Sequence, residues 1–248
     1  MDAHLSIITG ASRGLGLAMT VQRLREGHRV LALSRQPPQI ADSAPGSLLH
    51  WAVDLAAPAA VAYRLEAWLR QQPAPQRACA TLIYNAGVVS ELAPLSEVSF
   101  DDLSNALRVG LEAPTLLTAA FLRATADWVQ PRKVLLISSG LGRRAMAGSA
   151  SYCAAKAGLD HLARALALEE ADKPHGARIV SLAPGVIDTD MQVQLRAADP
   201  RRFPEQVRFV GLKESGHLDS PTTAAAKVLA CLDRPGFGEQ PVGDVRDA

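Results

Sequence analysis

The chain has 248 residues, a formal charge of +1 at pH 7 and a hydrophobic share of 48%. That length suits one large α/β domain or two small ones, and no Pro/Ser/Gly-rich linker divides it. A near-neutral chain without a basic block argues against a nucleic-acid surface, and no apolar run is long enough to span a bilayer.

The elements follow in chain order. Leu5–Thr9 reads as a short buried strand, followed by Gly10-Ala11-Ser12-Arg13-Gly14-Leu15-Gly16 and a helix over Arg13–Glu26. A strand, a glycine-rich turn and a helix N-terminus together form a site for a dinucleotide pyrophosphate. Free N–H groups and the helix dipole attract the anion, and glycines let the backbone approach it. Glycines after a strand often make only a tight turn, but here three of them frame Ser12 and Arg13 at the head of an alternating β/α pattern. Strands are expected at Arg29–Leu33, Leu48–Val53, Ala80–Tyr84, Lys133–Ser138, Arg178–Leu182 and near Pro241–Val245. Helices are expected at Ala59–Gln71, Phe100–Ala126, Ser151–Ala171 and Thr222–Leu232. Right-handed crossovers turn this alternation into a doubly wound parallel seven-stranded sheet with helices on both faces and a ligand crevice at the strands' carboxyl ends. The glycine turn, Asn85-Ala86-Gly87, Ser139 and Pro184-Gly185 each follow a strand and so converge on that crevice.

Ser139, Tyr152 and Lys156 carry the chemistry. Lys156 follows Tyr152 by four residues, one helical turn, which brings its ammonium toward the phenol. A free phenol has a pKa of roughly 10, and a fixed cation nearby lowers it. Ser139, at the end of a strand, can offer its hydroxyl to the same carbonyl oxygen. Alone, a Tyr and a Lys four apart on an Ala-rich helix are usually a core-edge aromatic and a solvated charge; the glycine turn shifts that balance.

Together these motifs resemble the short-chain dehydrogenase/reductase family in its single-domain branch, over essentially the whole chain. More narrowly, Ser181-Leu182-Ala183-Pro184-Gly185-Val186-Ile187-Asp188-Thr189-Asp190-Met191 is similar to the bacterial benzil reductases and the related sepiapterin reductases. The stretch Leu212-x-Glu214-x-Gly216-x-Leu218-x-Ser220-Pro221 resembles the benzil reductases in particular. The resemblance implies a single Rossmann domain over 1–248 and hydride transfer from a nicotinamide to a carbonyl carbon. In this scheme Tyr152 is proton donor, Ser139 hydrogen-bonds the oxygen, and Lys156 holds the nicotinamide ribose. It also implies cofactor contacts from Gly10, Ser12, Arg13, Gly14, Leu15, Gly16, Asp54, Leu55, Asn85, Ala86, Gly87, Tyr152, Lys156, Pro184, Gly185, Val186 and Thr189.

Charge selects the cofactor. The second strand ends in Ser34-Arg35 with no carboxylate, and Arg13 lies in the turn beside the same pocket. Two guanidinium groups and a hydroxyl suit a 2′-phosphate, so NADPH (NADP+) is expected. The plain alternatives are a solvated loop charge for Arg35 and an N-cap role for Asp54.

Two positions depart from the family pattern. Tyr84 replaces the first Asn of Asn-Asn-Ala-Gly, and Gly110 stands where the family has a helix Asn that helps hold a water beside the catalytic Lys. Gly costs about 1 kcal/mol in a helix against Ala, so a bend is expected there. If the Gly110 carbonyl alone holds that water, Gly110→Asn changes turnover little and stabilises the helix; if the missing amide limits proton supply, it raises turnover. The first outcome is the one expected.

The segment from about 186 to 221 is expected to cover the site as a lid. It mixes Met191, Val193, Leu195, Phe203, Phe209 and Leu212 with Arg196, Arg201, Arg202 and Arg208. Its apolar residues favour a hydrophobic ketone or 1,2-diketone. The arginines read either as an anion site or as a solvated helix face, and His217 reads as a surface loop residue. The sepiapterin-type or 3-oxoacyl-thioester reductase, and a weakly catalytic NADPH-binding protein, are the alternatives.

Cys79, Cys153 and Cys231 are scattered and odd in number, suggesting neither disulfides nor a metal site. The first strand begins almost at Met1, so no signal peptide is expected and the cytoplasm is the default. The partners expected are a small-molecule carbonyl substrate, with no nucleic acid and no membrane, and a second copy of the chain. By family resemblance a homodimer or homotetramer forms through the Phe100–Ala126 and Ser151–Ala171 helices, the latter carrying Leu159, Leu162, Leu166 and Leu168 over more than one face.

Overall fold

Every residue of β1 (Leu5–Thr9) is buried, because side chains alternate across a strand and helices cover both faces of the sheet. The computed structural model describes residues 4–40, 44–72 and 79–247; of the expected 1–248 span, residues 1–3, 41–43, 73–78 and 248 lie outside the described residues. After β1 come α1 (Gly14–Arg25), β2 (Arg29–Ser34), β3 (Ser47–Ala52), α2 (Pro58–Arg70), β4 (Ala80–Tyr84) and α3 (Phe100–Leu107). They are followed by α4 (Ala113–Ala124), β5 (Arg132–Ile137), α5 (Ala150–Ala171) and β6 (Arg178–Ala183). The chain ends with α6 (Asp190–Ala197), α7 (Gln206–Glu214), α8 (Pro221–Asp233) and β7 (Val242–Asp244).

The seven strands form one parallel sheet in the order β3-β2-β1-β4-β5-β6-β7. The chain is therefore a single doubly wound α/β domain, as expected. In register, Ile7 sits between Leu31 and Leu82, and these central strands feed two cores. On one face Leu5, Ile7, Leu33 and Leu136 pack with Leu65 of α2, Phe121 of α4 and Leu159 of α5. On the other, Ile8, Val30, Ile83 and Leu135 pack with Met19 of α1 and Val228 of α8. Strand order reverses beside β1, between the β1–α1 and β4–α3 connections, and that switch point is where such sheets bind ligands.

The expected helix Phe100–Ala126 is in fact three pieces. Between α3 and α4, residues Arg108–Glu112 form a π-helical turn. A widened turn leaves backbone groups without their usual partners, and the Tyr84 hydroxyl donates to the Val109 carbonyl at 2.6 Å, fully buried. Gly110 within this turn meets α5 closely: a Cβ on it would lie 2.8 Å from the Ala155 Cβ. The expectation that Gly110→Asn stabilises the helix is thereby overturned. Sequence spacing hid the reason, since Ala155 is distant in sequence and adjacent only after folding.

Candidate active site

The carboxyl edge of the sheet opens into a cavity of about 710 Å³ that is lined by nearly every residue singled out above. Its floor is the β1–α1 turn. Gly10 and Gly14 have φ of +65° and +53°, the left-handed region where glycine is favoured. At Gly16 a Cβ would lie 2.1 Å from the Gly10 carbonyl oxygen, so no larger residue fits. Arg13, the N-cap of α1, makes no side-chain capping bond, and no acid occupies the first turn. The N–H groups of that turn thus remain available to an anion. This uncapped helix start over a glycine cradle fits a dinucleotide pyrophosphate.

Thr9 braces the turn. Its Oγ1 accepts from the Asn85 and Ala86 amides at 2.9 and 3.0 Å, while Asn85 Nδ2 donates to the Thr9 carbonyl at 3.1 Å. Asn85 is therefore spent on fixing the loop after β4 against the loop after β1, and it carries Ala86 and Gly87 to the cavity wall. Sequence reasoning missed Thr9; its signal was a polar residue closing an otherwise apolar strand.

Ser34, Arg35, Asp54 and Leu55 line the far end of the cavity, together with Ser12, Arg13 and Leu15. Ser34 is buried, and its hydroxyl already donates to the Gln36 carbonyl at 2.7 Å. Arg35 is exposed at the rim. Arg13 pairs with Asp190 at 2.9 Å, an exposed contact that gives way to a stronger anion at little cost. Asp54 Oδ1 accepts from the Ala56 amide at 2.9 Å, so Asp54 shapes the turn into α2 as well as lining the cavity.

At the other end stand Ser139, Tyr152 and Lys156. Ser139 caps a short 3₁₀ turn over Gly140–Gly142, its Oγ accepting from the Leu141 amide at 3.2 Å. Lys156 Nζ lies 5.5 Å from the centre of the Tyr152 ring and donates to the Ile137 carbonyl at 2.7 Å. The expected lowering of the phenol pKa by Lys156 is not what burial produces. Burial pushes Tyr152 up to about 12, opposed by its hydrogen bond with the Ser139 hydroxyl. Burial likewise pulls Lys156 down to about 8, opposed by the charge of Asp160. For Tyr152, desolvation outweighs the Ser139 hydrogen bond, and the phenol is held as the protonated acid at neutral pH.

Pro184, Gly185, Val186 and Thr189 complete the wall after β6. Gly185 turns the chain with φ +80°, and the Thr189 methyl packs 3.3 Å from where a Cβ on Gly14 would stand. The covering segment thus begins on the glycine turn itself. It contains two helices, α6 and α7, that the sequence reading did not resolve. Its base is closed by a bridge between Ile187 and Asp219, and Arg202 ties it to Glu91 and Glu97 at 2.5 and 2.8 Å. Within it Phe203 stacks on Phe209 at 5.8 Å. Arg201 pairs with Asp199, Arg196 lies 4.0 Å from Asp188, and Arg208 lies 3.5 Å from Glu205, so all four arginines have carboxylate neighbours. Only Arg208 of these lines the cavity. His217 is an exposed loop residue beside Ser215.

The sequence model of the family described as short chain dehydrogenase matches residues 5–200. The chain belongs to the short-chain dehydrogenase family. This short-chain dehydrogenase is 34% identical over 231 residues to the benzil reductase ((S)-benzoin forming) of Bacillus subtilis (strain 168), covering 93% of this chain and 94% of that one. It is 32% identical over 254 residues to the sepiapterin reductase of Meriones unguiculatus, covering 96% and 94%. Among solved structures, a short-chain dehydrogenase/reductase from Burkholderia vietnamiensis is 32% identical, covers all of both chains and superposes with a TM-score of 0.66. Membership makes this short-chain dehydrogenase an oxidoreductase of the CH–OH/C=O couple that works with a nicotinamide cofactor. Among its described residues, no helix is long and apolar enough to cross a membrane.

Proposed function

We propose that this chain reduces a hydrophobic ketone or 1,2-diketone of the benzil kind, with NADPH as reductant. The observation that carries this reading is the lining of the cavity around Ser139 and Tyr152. Leu141, Met146, Met191, Leu195, Phe209 and Leu212 enclose that end, and the lid's Leu195, Phe203 and Phe209 form a separate apolar cluster with Met146. Such a surface rewards a flat aromatic substrate by burial rather than by charge. The similarity to the Bacillus subtilis benzil reductase supports the same class.

A bound NADPH supplies the hydride. Tyr152 gives its phenolic proton to the carbonyl oxygen, and Ser139 donates a hydrogen bond to that oxygen. Lys156 presents its cation beneath the Tyr152 ring and beside the nicotinamide ribose. General acid catalysis of this kind contributes about 10²- to 10⁴-fold. Arg35 at the rim, and Arg13 once released from Asp190, meet the 2′-phosphate; Ser34 stands beside them. Pro184, Gly185, Val186 and Thr189 hold the nicotinamide end.

We place the enzyme in the cytoplasm as a homodimer or homotetramer. Leu159 is spent on the core, whereas Leu168 of α5 and Phe100 of α3 are 77% and 90% exposed and are available to a second copy. Light scattering at micromolar concentration checks this, and a pure monomer refutes it.

The sepiapterin reductase similarity supports pterin carbonyls as the second reading. NADPH oxidation measured over benzil, aliphatic diketones, sepiapterin and a 3-oxoacyl thioester tests the choice. The highest kcat/KM should fall on an aromatic diketone; preference for sepiapterin or the thioester overturns it.

A further inference from the structure

We propose that Asp160 is a positioning residue of this site, whose buried carboxylate fixes the segment carrying Ser139 and supplies the negative charge that keeps Lys156 cationic. The proposal rests on the reading of Lys156 as the cation beside the proton donor.

Tyr152, Lys156 and Asp160 follow one another at four-residue steps along α5 and so share one helix face. Asp160 is 2% exposed. Its Oδ1 accepts from Ser138 Oγ at 2.6 Å and from Ser181 Oγ at 2.7 Å. Ser138 directly precedes Ser139, and Ser181 belongs to β6. Past Ser139, Gly142 is pressed against the same carboxylate: a Cβ there would lie 2.7 Å from Asp160 Oδ2 and 2.9 Å from the Lys156 carbonyl oxygen. The segment bearing Ser139 is thus held to α5 from both sides by one residue.

Two serine donors do not by themselves require an acid, since an Asn oxygen accepts as well. The charge has a different use. Lys156 is buried, and its Nζ donates to one neutral carbonyl, that of Ile137. A dry ammonium loses its proton readily unless an anion offsets the desolvation. Neighbouring titratable groups do not supply that anion. Tyr152 stays neutral, and the Tyr84 hydroxyl from β4 is turned to Val109. On β7, Asp244 is bonded to Arg246 at 2.8 Å. Arg143, on the turn after β5, lies 3.7 Å from Asp160 Oδ2, is partly exposed and makes no hydrogen bond to it. Asp160 is the anion whose charge raises the proton affinity of Lys156, against burial that leaves it at about 8.

The test reads Lys156 directly in the cofactor-free protein. Lysine is labelled with ¹³C at Cε, and the Lys156 signal is assigned by its loss in Lys156→Arg. In wild type the signal should titrate near 8; in Asp160→Asn and in Asp160→Ser the midpoint should fall by about one unit. Ser181→Ala keeps the charge and removes one hydrogen bond, so it should lower Tm and leave the midpoint in place. The alkaline limb of NADPH-dependent diketone reduction should move to lower pH with the NMR midpoint. An unmoved midpoint in both neutral variants, an equal shift in Ser181→Ala, or a limb that stays while the midpoint moves overturns the proposal. Loss of folding in both neutral variants also overturns it, because Asp160 then serves stability. Absence of turnover in wild type would count against the reductase reading, and the lysine titration would still decide this one.

Discussion

The Tyr84 hydroxyl donates to the Val109 carbonyl at 2.6 Å, joining the end of a central strand to a π-helical turn one layer away. Both groups are buried, and Tyr84 is 1% exposed. Tyr84→Phe keeps the shape and strands the carbonyl, so unfolding should become easier by about 1–3 kcal/mol. Urea denaturation with an unchanged m-value measures this; equal midpoints would mean that the carbonyl finds another partner.

Gly110 sits in that same turn against Ala155. Gly110→Asn should therefore destabilise the protein by about 1–3 kcal/mol through overpacking, whatever it does to proton supply. Ala155→Gly in the same chain should recover part of the loss, as expected of two residues in contact. Additive effects in the double-mutant cycle would show that the two do not meet.

NADPH should bind more tightly than NADH by about 10- to 100-fold, if one or two charge-assisted bonds reach the 2′-phosphate. Fluorescence titration of both cofactors measures the ratio. Arg35→Ala should reduce it by weakening NADPH alone. Equal dissociation constants, or an unchanged ratio in the variant, contradict the assignment of Arg13, Ser34 and Arg35.

Lys156 gives a stability signature with a definite sign. Its proton affinity in the folded protein is lowered from 10.5 to about 8, so between those values the unfolded chain binds more protons and folding gains as pH rises. The penalty for burying the ammonium is fully present below about 8 and disappears above the unfolded value. Wild type should therefore gain Tm relative to Lys156→Met across that window. A constant difference would mean that Lys156 titrates alike in both states.

The sheet was legible because its central strands, such as β1 and β4, are apolar runs and the crossover helices are long enough to show their period. The catalytic trio and the glycine turn were legible for another reason: hydride chemistry needs those residue types at fixed steps after a strand or along a helix. What escaped depends on contacts between segments far apart in sequence. Thr9 bracing Asn85, Tyr84 serving Val109 and Gly110 yielding to Ala155 leave no periodic trace. The helices α6 and α7 escaped because they are short and their apolar residues face the cavity instead of the main core. The sign of the Tyr152 shift was misread because spacing reports the nearby cation and not the burial that raises the phenol.

The most direct measurement compares wild type with Tyr152→Phe in NADPH oxidation on an aromatic diketone, alongside NADPH binding by fluorescence. The variant should bind NADPH with nearly the same affinity and turn over about 10²-fold more slowly or worse, because the proton donor alone has been removed. Turnover at the wild-type rate, with binding intact, would mean that the carbonyl oxygen takes its proton from another group and that Tyr152 is not the acid.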